Sequence, residues 1–409
     1  MEMILHDLRA AYNGKTLVDR PSFHDWTFHI YSSDMSESKS FWKGVLEGSS
    51  MTYLAPPPIP ATGSPCVDNI RFHVPLTNVS TSYGTPSSVL QAAWALVLSA
   101  ATGRDDDVFC APNANRSLSS FPDMDQVCGL CLNFLPARAR LQDQATFRSL
   151  IQQMQVRAIA AIQHQHQGFR SIVRDSTDWA PWTRYGSMLI YQNHEAVPES
   201  VKFGGQDCPL TLKGNFGRTA DILVEATPSR TTSTRADEPG GEEEDLLVVD
   251  MLYSRSTFTE DQARWLSSTL SRILEALPRI LEQPVGQVRG EAVATAPYVL
   301  SEPAAQRSST TAANAAGNGH KDQQLAAVRM AWDEIGLSAA RNDLEEKGAG
   351  SGSMFACGAD LVDTLLLSRY YRRSGHDVSM QQLIDHPTQA EQARLLDKAK
   401  TRLASGGDV

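Results

Sequence analysis

The chain has 409 residues, 41% of them hydrophobic, which is enough for two or three domains with buried cores. Its net charge of −10 and its scattered basic residues exclude the basic surface of a nucleic-acid-binding protein. There is no run of about 18 apolar residues, so the sequence predicts no membrane span. Six cysteines and the lack of a secretory signal predict a cytoplasmic protein, and no ligand spacing predicts a metal site.

The first 54 residues predict two helices. In the first helix, Ile4, Leu8 and Tyr12 form an apolar face. Asn13 and Gly14 end this helix. The second helix is predicted over 34–47, with Trp42 in its apolar stripe. The proline-rich stretch 55–65 that follows can be neither a helix nor a central strand.

Residues 55–283 alternate between strand and helix patterns, which predicts a layered α/β lobe with a mixed sheet. The predicted strands cover 70–76, 108–111, 187–191, 222–226 and 246–252. The predicted helices begin at Thr85-Pro86, at Ala145 and at the capping box Thr259–Gln262. The polar segment 227–245 predicts a loop between the last two strands.

The composition changes again after this lobe. Residues 284–322 contain few large apolar side chains and predict a flexible linker, because such a segment cannot offset the entropy of ordering. Residues 323–400 carry apolar positions at spacings of three and four, which predicts a small bundle of four helices.

The bundle resembles a peptidyl carrier domain of nonribosomal peptide synthetases. The match rests on Phe355, Gly358, Ala359 and Asp360, which follow the family's aromatic residue and Gly-Gly-Asp pattern. In that family the next residue is the serine that carries 4'-phosphopantetheine, and this chain has Leu361 there. An isobutyl group has no oxygen for a phosphodiester, so the resemblance implies a carrier that cannot hold the cofactor. The nearest serines, Ser353 and Ser368, do not occupy the start of the helix.

The larger region resembles the later part of a condensation domain from the same synthetases. The resemblance rests on four segments, 105–117, 127–141, 166–179 and 187–194. It implies a chloramphenicol-acetyltransferase-like lobe over 55–283, and in 1–54 the end of the amino-terminal lobe with the inter-lobe helices. It also places Asn133, Arg138, Gln192 and Asn193 beside the substrate channel. Internal hydrogen bonding explains Asn133 and Arg138 at least as well.

The family's catalytic His-His-x-x-x-Asp-Gly loop has no counterpart in this sequence, because no two histidines are adjacent. The nearest pattern is His164-Gln165-His166, at the predicted end of a helix. We therefore expect no catalytic residue in the chain, and we interpret the chain as a fragment of a synthetase. Cys128 and Cys131 form a CxxC pair, which we interpret as inert, buried thiols.

The segment 42–52 and the carrier helix narrow the resemblance to fungal siderophore synthetases. The parent reaction joins a carrier-bound acyl thioester to an acceptor as an amide or ester. Expected partners are carrier domains, adenylation domains and carrier-tethered aminoacyl or hydroxamate substrates. One alternative is a non-catalytic docking or scaffold module that uses Arg369, Arg372 and Arg373 as a protein contact. A stand-alone acyltransferase is the other, and it would need a catalytic histidine of its own.

Overall fold

The computed structural model describes residues 2–55, 67–79, 82–116, 121–179, 183–192, 200–203, 205–210, 220–231, 244–255, 257–294, 319–335, 337, 354, 359 and 361–405. These residues form two compact units. The first contains the described residues of 2–54, 67–179 and 185–294, and the second contains those from 319 onward together with 55, 183 and 184. Among the described residues, no helix has the length and apolar character needed to cross a membrane.

A six-stranded mixed sheet with the order β1-β8-β7-β4-β2-β3 organises the first unit. Its strands are β1 (Val67–Pro75), β2 (Asp106–Asn113), β3 (Asn133–Arg140), β4 (Ser187–Tyr191), β7 (Ile222–Thr231) and β8 (Glu244–Ser254). A separate hairpin contains β5 (Ser200–Phe203) and β6 (Gln206–Pro209). Since β2, β4 and β7 run parallel to one another, their carboxyl ends meet at one edge of the sheet.

The helices of this unit are α1 (Glu2–Tyr12), α2 (Phe23–Ser32), α3 (Ser36–Leu46), α4 (Leu76–Val79), α5 (Pro86–Thr102), α6 (Phe147–Ala161), α7 (Phe169–Ser176), α8 (Glu260–Ile280) and α9 (Val285–Ala294). Helix α5 is the central one, buried along most of its length. The Thr85 side chain caps its start and Gly103, at φ 72°, ends it in the left-handed conformation, as the sequence predicts. Trp94 of this helix donates to Ser187 Oγ at 3.1 Å and so joins it to β4.

Strand β3 is absent from the prediction because Pro136 interrupts its apolar run. The structure resolves the conflict by placing β3 at the end of the sheet, with β2 as its neighbour. Pro136 pairs there with Cys110. An edge position tolerates proline because the missing N–H need not bond to a second strand.

The predicted linker begins too early. Residues 285–294 form α9, whose Val285, Val288 and Ala292 are buried. Arg289 of this helix bonds to Asp105 and donates to Asp143 at 2.7 Å. The composition of this segment indicates a linker, but two ion pairs and an apolar face hold it against the lobe.

The second unit contains α10 (Gly319–Glu334), α11 (Leu361–Arg373), α12 (Met380–Asp385) and α13 (Gln389–Ser405). These helices share a core that includes Trp332, Tyr371, Leu383 and Leu396. The fully buried Gln392 joins three of them, because its Oε1 accepts from Trp332 Nε1 at 2.9 Å and from the Tyr371 hydroxyl at 2.8 Å.

Candidate functional site

Two of the four predicted channel residues lie at the same edge of the sheet. Asn133 opens β3 and pairs with Asn113, the last residue of β2. Gln192 follows β4, which is the next strand after β2. Strand spacing of about 4.8 Å puts Asn133 and Gln192 roughly 10 Å apart, across one intervening strand. We call Asn133, Gln192 and the residues bonded to them the polar edge.

Asn133 fastens a turn to this edge. Its Nδ2 donates to the carbonyl oxygens of Gln165 at 2.6 Å and Gln167 at 3.1 Å. Its Oδ1 accepts from the N–H of Phe134 at 2.9 Å. The amide is therefore engaged in holding the 164–168 turn, which agrees with the internal alternative for this residue.

Gln192 is the half-buried part of the polar edge. Its N–H donates to the carbonyl of Ala226 at 2.9 Å, and its Nε2 donates to Glu225 Oε1 at 2.8 Å. Both partners belong to β7, so Gln192 and Glu225 present an amide and a carboxylate side by side. Asn193, the fourth predicted channel residue, lies outside the described residues.

Arg138 lies away from the polar edge and is bonded internally. It pairs with Val108 near the start of β2, at the opposite end of β3 from Asn133. Its guanidinium is buried and bonds to Asp106 through Nε at 2.8 Å and Nη2 at 2.5 Å. Nη1 donates to the carbonyls of Val45 and Glu47, each at 2.8 Å, which caps the carboxyl end of α3.

The loop before β3 is held by residues from two of the recognised motifs. Arg116 donates to the carbonyls of Val127 at 2.7 Å and Gly129 at 3.1 Å. A Cβ on Gly129 would lie 2.2 Å from Phe23 of α2, so this close approach requires glycine. Within this loop Cys131 is buried as expected but Cys128 is exposed, which corrects half of the interpretation.

The 164–168 turn contains an unusual group of polar side chains. Gln165 and Gln167 are buried, and within the described part of the chain neither the amide nitrogen nor the amide oxygen of either side chain has a hydrogen-bond partner. Both ring nitrogens of His166 are in the same condition. Burial, together with the charge of His29, lowers the pKa of His166 to about 4, so its imidazole is neutral at physiological pH. The polar HQHQ run between two helices is the sequence signal for this group.

Neither histidine of this turn is built as a catalytic base. His164 Nδ1 lies 3.1 Å from Ser38 Oγ, its ring stacks on Phe41 at 4.2 Å, and its carbonyl accepts from Trp42 Nε1. His166, with its pKa near 4, is a weak base. In the part of the chain that the structure describes, no group of His, Cys, Asp and Glu could hold a metal ion. The polar edge can bind through amides and a carboxylate, but it offers no activated nucleophile or base.

In the second unit, Leu361 is the first residue of α11, where the carrier family has its serine. Ser368, the described serine closest in sequence, is buried and donates to the carbonyl of Val378 at 2.7 Å. Ser353 lies outside the described residues. The Ser368 hydroxyl is thus turned into the bundle.

Comparison with known proteins identifies the first unit. The condensation-domain profile matches residues 1–291. The nonribosomal peptide synthetase valB of Aspergillus terreus is 34% identical over 289 residues, which are 70% of this chain and 10% of that protein. The nonribosomal peptide synthetase TES of Alternaria alternata is 36% identical over 196 residues, 47% of this chain and 4% of that protein. The chain thus spans a tenth or less of these curated relatives.

Solved structures agree on the fold. A structure described as the crystal structure of CT has a TM-score of 0.57 at 21% identity and covers 69% of this chain and 60% of that chain. The X-domain from teicoplanin biosynthesis has a TM-score of 0.55 at 18% identity, over 70% of this chain and 67% of that one. The mixed sheet with flanking helices is the predicted condensation-domain fold, and with the profile match over most of its length this chain belongs to the condensation-domain family.

Proposed function

We propose that this chain supplies the acceptor-side part of a condensation domain in a fungal nonribosomal peptide synthetase. The reaction it serves joins an acyl group, carried as a thioester, to an acceptor amine or hydroxyl. The polar edge is the observation that carries this proposal: Gln192 and Glu225 offer a donor and an acceptor, 2.8 Å apart, where β4 ends beside β7. In open α/β sheets, ligands bind in the crevice outside these strand ends.

The chemistry requires a group that this chain lacks. Attack on a thioester is assisted by a base near the acceptor, and no adjacent histidine pair is present in the sequence. The two histidines of the 164–168 turn are stacked or buried as described above. On this proposal the chain positions the acceptor, and a separate histidine-bearing lobe is needed for bond formation. The 409 residues alone are then a fragment in function.

Binding at the polar edge is tested with an aminoacyl-pantetheine amide, which cannot transfer its acyl group. Saturation-transfer NMR on the full chain should show contact, and calorimetry should show about tenfold weaker binding after Gln192→Leu. Gln287→Leu is the matched control, since Gln287 donates to Glu291 at 3.2 Å on the exposed face of α9. Equal affinity of the two variants would remove Gln192 from the site.

The bundle of α10 to α13 is proposed to be a carrier-like domain that cannot be loaded. Support comes from Leu361 at the start of α11 and from the internal bond of Ser368. Its partners in a synthetase would be carrier and adenylation domains with their tethered aminoacyl or hydroxamate substrates. The narrower siderophore type and the cytoplasmic location rest on the sequence alone and stay predictions. Feeding the parent synthetase hydroxylated ornithine and analysing its product would test the siderophore type.

One observation favours a second function, a docking module without catalysis. On α11, Leu365 and Leu366 are 37% and 42% exposed, and Arg369, Arg372 and Arg373 are exposed beside them. Apolar residues rimmed by positive charge are typical of a protein contact. Reversal of the charge at Arg369 and Arg373 should abolish co-purification with synthetase domains if docking is the function. Loss of acceptor binding after Gln192→Leu would instead support the first proposal.

A further inference from the structure

A second surface of the first unit lies away from the polar edge, between β1 and α8. It is a groove of about 470 Å³, a volume within the range of binding sites. We call it the β1–α8 groove; its lining residues are Ile70, Phe72, Arg264, Trp265, Ser267, Ser268, Ser271 and Arg272. The floor is apolar, the rim is basic and polar, and no carboxylate is among these lining residues.

The groove runs along an unpaired sheet edge. Among the described strands β1 is the last in the sheet and pairs with β8 alone, over nine residues from Val67 to Pro75. No described strand bonds to its outer N–H and C=O groups, which is the arrangement that accepts a further strand. Ile70 and Phe72 alternate onto the face that meets α8, so an added strand would continue this face beneath the helix.

The other face of β1 restricts which strand can add. Arg71 and His73 are exposed there, and Arg71 bonds to Asp250 of β8 at 2.8 and 2.9 Å. Charged side chains of this kind protect an edge from indiscriminate pairing. The charged face of β1 thus disfavours unspecific strand pairing, and the apolar face favours a strand whose side chains match it.

The charges on α8 indicate which side chains the added strand should carry. Arg264 and Arg272 are exposed at the two ends of the groove. Arg264 bonds to Glu260 on the helix surface, an exposed pair that is weak and readily exchanged. Eight helical residues span about 12 Å, and four residues of an extended strand span about 13 Å. Two acidic side chains four positions apart on one strand would therefore reach both arginines.

Trp265 gives an independent indication of an occupant. Trp265 lines the groove and is 8% exposed, yet its Nε1 has no hydrogen-bond partner among the residues that the structure describes. Buried donors without a partner are rare in native proteins and call for an explanation. A carbonyl oxygen of a segment lying in the groove would provide the missing acceptor.

We propose that the β1–α8 groove binds an extended acidic segment of a partner protein, which adds to the edge of β1 as a seventh strand. The segment has acidic residues at positions i and i+4 and an apolar residue at i+2, which packs on Ile70, Phe72 and Trp265. Main-chain bonds to β1 provide affinity, and the two acids and the apolar residue provide specificity. This interaction does not depend on the polar edge or on the condensation reaction.

The test uses the full chain and a fluorescein-labelled peptide, Ser-Glu-Thr-Val-Thr-Glu-Ser, followed by fluorescence anisotropy. Arg264→Glu and Arg272→Glu should each weaken its binding at least about tenfold. Arg279→Glu, on the exposed surface of the same helix outside the groove, is the matched control and should change the affinity less than twofold. A peptide with lysines in place of both glutamates should not bind.

Two further results decide whether the peptide adds as a strand. Amide hydrogen exchange in the segment 67–75 should slow when the peptide is bound, because strand addition engages the outer N–H groups of β1. A peptide with proline in place of both threonines should bind at least about tenfold more weakly, since it lacks N–H groups for the ladder. Unchanged exchange in β1, absence of saturable binding at millimolar peptide, or equal affinity of the Arg264 and Arg279 variants would overturn the proposal.

Discussion

Arg138 and Asp106 form a two-bond ion pair at the end of the sheet opposite the polar edge, with distances of 2.8 and 2.5 Å. The same guanidinium is not available to bind a substrate, because its Nη1 donates to the carbonyls at the carboxyl end of α3. Burial raises the pKa of Asp106, but the bonds and charge of Arg138, with Arg140 and Arg104, outweigh it and lower the pKa. Arg138 thus joins β3, β2 and α3 in one contact.

Replacement of Arg138 by methionine should lower the free energy of unfolding by about 3 kcal/mol, because it leaves Asp106 and two carbonyls without their partner. Arg140→Met is the control: Arg140 lies 4.0 Å from the same carboxylate, but its side chain is 51% exposed. Its loss should cost at most about 1 kcal/mol. Urea unfolding measures both, and similar losses would contradict the structural role of Arg138.

Gly129→Ala should destabilise the first unit, because the new Cβ would lie 2.2 Å from the Phe23 ring and α2 would have to move. We expect a loss of about 1–3 kcal/mol. In a Phe23→Ala background the same change should cost at least about 1 kcal/mol less, which a double-mutant cycle measures. Gly44→Ala, on the exposed surface of α3 with nothing within 4 Å, should instead stabilise by up to about 1 kcal/mol. Additive effects of Gly129→Ala and Phe23→Ala would refute the close contact.

Asp107 should make the unit less stable as the pH rises. Burial raises its pKa to about 7, although Thr52 donates to its Oδ1 at 3.0 Å. Between the unfolded pKa of about 3.9 and the folded value, the native state binds the extra proton, so stability is full below pH 4 and falls up to pH 7. Asp107→Asn should therefore gain stability relative to the parent over this window, on the order of 4 kcal/mol at pH 7.

The difference between the two proteins has to be measured, not the parent curve alone. The pKa of His166 is lowered to about 4, so its contribution to stability changes in the opposite direction and is lost as the pH falls from 6.5. In the parent protein, Asp107 and His166 therefore change the free energy of unfolding in opposite directions as the pH rises. A pH-independent difference between Asp107→Asn and the parent, in unfolding experiments from pH 4 to pH 8, would exclude the raised pKa.

The carrier-like bundle should gain its cofactor through a single substitution. Leu361→Ser places a hydroxyl at the start of α11, and incubation with a phosphopantetheinyl transferase and coenzyme A should then add one phosphopantetheine mass. The parent chain should show no gain, since Ser368 donates into the bundle. Intact mass spectrometry gives the answer. A loaded parent chain would overturn the account of this bundle, and an unloaded Leu361→Ser variant would weaken its resemblance to a carrier.

Local signals predicted the elements whose caps are encoded beside them. Helix α8 begins at the capping box of Thr259 and Gln262, as expected, and α5 lies between Thr85 and Gly103. The strand of β8 follows its apolar run, although its pairing extends the element to Glu244–Ser254. In the two helices sequence neighbours supply the capping bonds, so the pattern is sufficient.

Long-range contacts decided the rest. Strand β3 tolerates Pro136 because it ends the sheet, and α9 is ordered because Arg289 reaches Asp105 and Asp143. At the candidate site, the resemblance placed Asn133 and Gln192 at one sheet edge but could not separate them from Arg138, which is five residues further along the same strand as Asn133. Glu225 belongs to none of the recognised sequence motifs, and it lies at the site only because β7 pairs with β4.

The most direct measurement is a condensation assay with the purified 409-residue chain, its helix and sheet content confirmed by circular dichroism. A donor aminoacyl thioester and an acceptor aminoacyl-pantetheine are supplied, and product is followed by mass spectrometry, with an intact condensation domain from a relative as the positive control. The account predicts no dipeptide above the rate without protein, because the sequence has no adjacent pair of histidines. Dipeptide formation well above that rate would contradict it.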